Sequence, residues 1–315
     1  MSFSSDIKDE LIKLEQMPDC CLHSMAYGMF LFGRSFNLND ISLMTDNEKV
    51  AMKYADMGKK ACNIEATLNV SEAGKYTVSF EGDETRKKVL SVFSCTGNER
   101  NHRIDRGNLA NDSADNEEIS NCCDAAFLRG VFLSCGTASD PNKSYHLEFV
   151  VPYKTLSLDL MKILNDYGIK AKHMTRRYVN VIYIKDSESI EDILALMGAH
   201  ISAMEVMNIK IYKDVRNMTN RRINFENANL SRTIFASFDQ VKAIKKLKSN
   251  GSFAALPSDL KQVAMLRMDN PDISLREIGE MCEPKMSRSA VNHRLKKLIS
   301  ISQQCEKKKE EKVDE

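Results

Sequence analysis

Between Ser287 and Leu298 the chain gathers Arg288, Ser289, Asn292, His293, Arg294, Lys296 and Lys297. Asn and Lys side chains reach base edges in a DNA major groove, and guanidinium and ammonium groups bind phosphate oxygens. At about 100° per residue, Val291, Leu295 and Leu298 fall on one narrow apolar stripe. Lys296, Ser289 and His293 lie on the opposite arc with Asn292 beside them, and Arg288, Arg294 and Lys297 flank that arc. The pattern therefore assigns base reading to Ser289, Asn292, His293 and Lys296, and phosphate binding to Arg288, Arg294 and Lys297. His293 is the weakest of these assignments, because a surface histidine is often incidental.

A reading helix works only when other elements hold it. Ser258 is the expected cap of a first helix with Leu260, Val263 and Ala264 on its apolar face, ending before Pro271. Ser274, with Glu277 three residues on, forms a capping box for a second helix facing inward through Leu275, Ile278 and Cys282. Residues 283–286 make a short connection, and Ser287 caps the third helix. Two short helices joined tightly and preceded by a supporting one describe a helix-turn-helix, placed at residues 252–302. A basic amphipathic helix is in many proteins only a solvated face. Here three caps, a proline stop, a tight connection and an arc of groove-reading types coincide, and DNA binding is the favoured reading.

The charge distribution agrees. The 315 residues carry a net charge of only +1. Residues 216–302 carry +8, the tail 303–315 carries −1, and residues 1–215 carry −6. A basic third joined to an acidic two-thirds is expected when one part faces a polyanion. With 43% hydrophobic and 28% charged residues, the composition excludes a largely disordered chain and a membrane bundle. The longest strongly apolar stretch, Met25 to Phe32, is far short of the roughly 20 residues a bilayer span requires. The opening MSFSSDIKDEL has acid where a signal peptide has positive charge, so the expected location is cytoplasmic, in association with the nucleoid.

The acidic two-thirds shows a repeated pattern. A first helix near Ser5 to Gln16, capped by Ser4 or Ser5, precedes a helix from about Asp19 to Phe32 that is apolar on nearly every side. Short strands follow near 34–36 and 41–44, then a helix near 46–59, strands near 63–70 and 76–80, and a helix near 83–93. An Asn/Asp/Gly-rich stretch, 97–121, reads as a long surface loop. Then an apolar helix from about Asn121 to Cys135 starts the order again, with a strand near 145–151, a helix near 156–167, strands near 169–173 and 178–184, and a helix near 190–197. The helix-ending Gly33 and Gly136 are 103 residues apart. The order points to an internal duplication of an α+β unit, with repeats at about 19–95 and 121–198 inside a 1–215 domain.

Residues 216–251 form a helical Asn/Arg-rich linker, interrupted at NMTNRRINFENANLSR (217–232) and broken by Asn250-Gly251. Arg221, Arg222 and Arg232 are either phosphate ligands or parts of an interdomain clasp in which the asparagines cap helices. The tail 303–315 is expected to be disordered. Nine cysteines, odd in number and twice adjacent (Cys20/Cys21 and Cys122/Cys123), include no C-x-x-C pair, so buried free thiols are expected. Cys20-x-x-His23 holds two ligand types without a second pair, and no metal or cofactor is expected.

The run LPSDLKQVAMLRMDNPDISLREIGEMCEPKMSRSAVNHRLKKL, the preceding NMTNRRINFENANLSRT, AFLRGVFLSCGTASDPNKSYHLEF and the N-terminal MSFSSDIKDEL resemble the WhiA family over nearly the whole chain, from Met1 to about Ser300. The resemblance implies a degenerate LAGLIDADG homing-endonuclease-like domain followed by an all-α helix-turn-helix domain similar to the sigma-factor region that reads the −35 element. It also implies a bacterial regulator tied to cell division, chromosome segregation and sporulation. In active endonucleases of that fold, an acid just before the signature's final glycine binds the catalytic metal. Here Phe32 and Cys135 hold those positions, in the segments Met25 to Gly33 and Leu128 to Gly136. The first segment keeps Ala26 and Gly33 but has Tyr27 at the first glycine position, whereas the second keeps Gly130 and Gly136. Neither Phe nor Cys coordinates a hard cation through oxygen, so no catalytic residue is expected.

The expected function is sequence-specific binding of double-stranded promoter DNA by a transcriptional regulator without nuclease activity. Other transcription or division proteins are further candidate partners. The alternatives are a division factor acting mainly through protein partners and, with less support, an active endonuclease.

Overall fold

The computed structural model describes residues 2–14, 16–97, 102–109 and 117–310. The chain divides into two compact units, residues 1–213 and 214–315.

In the first unit, α1 (Phe3–Ile12) precedes two copies of one order of elements. The first copy runs α2 (Asp19–Leu31), β1 (Ser35–Phe36), β2 (Ile41–Thr45), α3 (Glu48–Cys62), β3 (Thr67–Val70), β4 (Tyr76–Ser79) and α4 (Asp83–Val92). The second runs α5 (Glu117–Cys135), β5 (Gly136–Ala138), β6 (Leu147–Val151), α6 (Lys154–Asp166), β7 (Lys172–Arg176), β8 (Val179–Ile184) and α7 (Ser187–Met197). Each copy folds its strands into an antiparallel sheet of the same order, β1-β2-β4-β3 and β5-β6-β8-β7. Registers such as Leu43 opposite Val78 and Phe149 opposite Ile182 put buried side chains in facing pairs.

Helices α2 and α5 pack on each other in the core. An added methyl at Gly28 would lie 2.4 Å from the Phe127 carbonyl oxygen, and one at Gly130 would lie 2.2 Å from that of Met25. Backbone thus meets backbone, which only glycine allows. Tyr27 stands at the signature's first glycine position, and the glycine at the crossing is its neighbour Gly28. Tyr27 is buried, its hydroxyl accepting the Asp105 N–H at 3.0 Å.

Other expectations need correction. Ser2, not Ser4 or Ser5, caps α1, through its hydroxyl on the Ser5 N–H. Strand β5 was missed because three residues, Gly-Thr-Ala, carry no period; it follows α5 without a linker. The 97–121 stretch is not wholly a surface loop. Its described part buries His102, Asn108 and Leu109, and Asn108 donates to the Phe93 carbonyl while its own carbonyl accepts the Ser24 hydroxyl.

The largest difference is α8 (His200–Ser249), a single helix with no interruption at 217–232. Its N-terminal N–H groups at Ile201 and Ser202 donate to the Glu10 carboxylate at 2.7 and 3.0 Å. Within the stretch, Thr219 and Thr233 donate their hydroxyls back to the carbonyls of Val215 and Asn229, and Arg222 pairs with Glu226. These three side chains are satisfied along the helix, and the asparagines of 217–232 lie inside it rather than at a helix end. The break comes at Gly251, whose φ of +73° is a left-handed conformation that glycine adopts freely.

The second unit adds a short 3₁₀ turn (Ser252–Ala255), α9 (Ser258–Asp269), α10 (Leu275–Met281) and α11 (Arg288–Glu310). Ser258 is the first residue of α9 rather than its cap, and Pro257 occupies the cap position without a side-chain bond. The capping box of Ser274 and Glu277 and the Ser287 hydroxyl on the Ala290 N–H are present. Ile244 and Leu247 of α8 close the core with Leu260, Val263, Ile278, Val291, Leu295 and Leu298. Helix α11 continues into the stretch read as a disordered tail, where Gln, Glu and Lys favour helix and Cys305, like Ile301 just before it, packs on the core.

Candidate nucleic-acid interface

The connection between α10 and α11 fixes how the third helix is presented. A methyl at Gly279 would fall 2.2 Å from the Met286 carbonyl oxygen, and the Met286 N–H donates to the Gly279 carbonyl at 2.9 Å. The chain therefore folds back onto the α10 backbone just before α11 begins. Val291, Leu295 and Leu298 are fully buried, which turns the opposite arc outward: Ser289, His293, Lys296 and Lys297 are exposed.

The proposed ligands separate into three groups. Arg288 and Asn292 of α11 share a cleft of about 490 Å³ with Arg232 and Thr233 of α8 and Arg276 of α10. Two of its lining residues, Arg267 and Gln240, escaped the sequence reading. Arg267 is 2% exposed, and its Nη1 donates to the Pro271 and Ile273 carbonyls at 3.2 and 2.8 Å, fastening the α9–α10 turn. Burial lowers its pKa. Its Nε and the Gln240 Oε1 are buried without a hydrogen-bond partner among the described residues. A Pro-Asp-Ile turn beside a helix-ending arginine is too common a pattern to have marked Arg267 from sequence.

Arg294 is not a free cation. Its Nε donates to Asp259 Oδ2 of α9 at 3.0 Å and its Nη1 to the Ala290 carbonyl at 3.3 Å, so it braces α11. Arg222 is engaged by Glu226, Arg276 by Glu280, and Arg221 lies exposed on α8 away from the cleft lining. Among the described residues, Arg232, Arg288, Lys296 and Lys297 have no carboxylate partner.

In the first unit, the ends of α2 and α5 meet a cleft of about 410 Å³ lined by Phe32, Gly33, Ser134, Cys135 and Gly136, with Lys8, Arg34, Lys75 and Asp46 around it. Burial pushes the Cys135 thiol up to about 12 and pulls the Lys8 ammonium down, with Cys135 and Asp46 opposing the latter shift. Among the described residues lining it, neither helix end offers a carboxylate. The acid among the lining residues, Asp46, follows β2 and interacts with the Lys8 charge.

The profile of the WhiA LAGLIDADG-like domain matches residues 124–216, and that of the WhiA C-terminal HTH domain matches residues 219–302. A protein of Ruminiclostridium cellulolyticum described as a probable cell division protein, WhiA, is 35% identical over 98% of this chain and 99% of its own. One of Clostridium perfringens with the same description is 36% identical over 96% and 98%. The crystal structure of full-length DUF199/WhiA from Thermatoga maritima superposes with a TM-score of 0.58 at 24% identity, covering 96% of this chain and 99% of the other.

Proposed function

The chain belongs to the WhiA family, and on that premise we propose that it is a sequence-specific DNA-binding regulator of transcription serving cell division, chromosome segregation and sporulation. The observation that supports this reading is the outward arc of α11, with four cations that lack a carboxylate partner among the described residues standing on or beside a helix held by a glycine-tight turn. Ser289, Asn292, His293 and Lys296 read bases in the promoter, and Arg232, Arg288 and Lys297 hold phosphates. Arg294 acts indirectly, by fixing the helix. Residues 252–302 form the reading module, and the place of action is the cytoplasm at the nucleoid.

The first unit works as a scaffold and cuts no DNA. Two-metal phosphodiester cleavage needs oxygen ligands at the metal, and Phe32 and Cys135 stand at the helix ends. Magnesium-dependent nicking of plasmid DNA by the pure full chain would overturn this. A second reading, action mainly through protein partners, draws on the apolar residues exposed along α8: Met218, Phe225 and Phe235 are 70%, 67% and 72% exposed.

The deciding experiment is genome-wide mapping of bound sites for wild type and N292A. Loss of discrete promoter sites in the variant is expected. Retention of the same sites, in a folded variant, removes Asn292 from base reading. If N292A/K296A abolishes DNA binding yet still rescues a division defect, the protein-partner reading replaces the regulatory one.

A further inference from the structure

Two adjacent-cysteine pairs, about a hundred residues apart in sequence, meet at the junction of the repeats. Cys20 and Cys21 lie in the first turn of α2, and Cys122 and Cys123 lie on α5. All four sulfur atoms lie within 4.8 Å of one another, and Cys21 Sγ is 3.2 Å from Cys122 Sγ. Cys21 and Cys123 are buried, and Cys20 and Cys122 are half-buried. The neighbouring His23 is not part of the group, because its Nε2 meets Asn108 Oδ1 at 3.0 Å.

We propose that these four cysteines form a tetrahedral site for a single thiophilic divalent cation, zinc in the first instance, joining α2 to α5. Zinc–thiolate bonds of about 2.3 Å place the sulfurs of a tetrahedral site about 3.8 Å apart, so side-chain adjustments of well under a rotamer step close this group on one ion. An iron–sulfur cluster, whose irons and sulfides must fit between the ligands, spreads its cysteines wider than this. Soft sulfur donors without an oxygen ligand disfavour magnesium, calcium and manganese.

The surroundings fit a thiolate site. Cys20 and Cys21 sit at a helix N-terminus, where the backbone dipole favours negative charge. Arg129 of α5, half-buried with its Nε on the Met197 carbonyl, is a nearby cation whose charge interacts with Cys21. A thiol gives up its proton when it ligates a metal ion. Binding therefore releases protons and weakens as the pH falls. The balance is four thiols and one divalent cation giving a tetrathiolate complex and four protons, with no change of oxidation state.

The test uses the full chain, purified in reductant and stripped with a chelator. Titration with cobalt(II) is expected to give the visible bands of a tetrahedral thiolate complex, saturating at one equivalent and bleached by zinc. Zinc should raise the melting temperature and shield the four thiols from a thiol-titrating reagent. C20A/C122A, which alters the two half-buried ligands, should weaken zinc binding by about a hundredfold or more, whereas C95A and C305A should leave it unchanged. If the double variant does not fold, C122S alone must lose the one-equivalent cobalt spectrum. Failure of the reduced wild-type chain to bind cobalt or zinc overturns the proposal. So does survival of the spectrum in the ligand variants, or a group that takes up no metal and only forms a Cys21–Cys122 disulfide.

Discussion

The division of the arginines and lysines of the second unit into free and committed groups has a measurable thermodynamic signature. Each cation that neutralises a DNA phosphate contributes about 0.9 to the slope of log affinity against log salt. With Arg232, Arg288 and Lys297 as the phosphate contacts, the slope from this surface is about −2.7, and affinity falls about 40-fold between 50 and 200 mM salt. Replacing both lysines (K296A/K297A) should bring the slope to about −1.8 and the fall to about twelvefold. R294A removes the same charge as either lysine substitution but should leave the slope unchanged, because its guanidinium is held by Asp259 at 3.0 Å. Its effect belongs to folding: a half-exposed pair of this kind contributes up to about 1 kcal/mol. The assay is fluorescence anisotropy of a labelled promoter fragment with the full chain at several salt concentrations, alongside urea denaturation. An Arg294 variant whose slope drops as far as that of a lysine variant, or a lysine double variant whose slope does not move, would refute the assignment.

Three further outcomes follow from the packing. G279A should cost about 1–3 kcal/mol or more in urea denaturation, because its methyl would land 2.2 Å from the Met286 carbonyl oxygen; equal stability would show that the turn opens freely. G130A should destabilise the first unit by a similar amount while leaving the helix-turn-helix transition in place, and a loss confined to the second unit would contradict the backbone crossing at Met25. S274A should cost about 1 kcal/mol at neutral pH through the lost cap. The Ser274 hydroxyl and N–H hold Glu277 below its ordinary 4.5, so the stabilisation is present above that value and lost as the pH falls through the lower folded one. The gap between wild type and S274A should accordingly narrow below about pH 4; a gap that widens on acidification would reverse the argument.

Much of this arrangement could be read from the chain alone, and the failures share a cause. The stripe of Val291, Leu295 and Leu298 announces its own burial, since a helix repeats its faces at a fixed interval. The reading failed where the deciding partner is remote. Arg294 looks like any basic residue until Asp259, 35 positions earlier, takes its guanidinium. The asparagines of 217–232 look like a break because, in isolation, they compete for the backbone. The Glu10 carboxylate that starts α8 and the hydroxyls bonded back along it were not visible as a pattern. Adjacent cysteines at 20/21 and 122/123 carried no spacing signature because each pair supplies only half of a group.

The crossing of α2 and α5 has a further consequence for how such a domain changes over time. The glycines that let the two backbones touch sit at mid-helix, at Gly28 and Gly130, whereas Phe32 and Cys135 stand at or just beyond the helix ends. Fold maintenance and chemistry therefore occupy different turns of the same segment. A lineage can exchange the terminal residues without loosening the crossing, so the frame can persist while the residues at its cleft change.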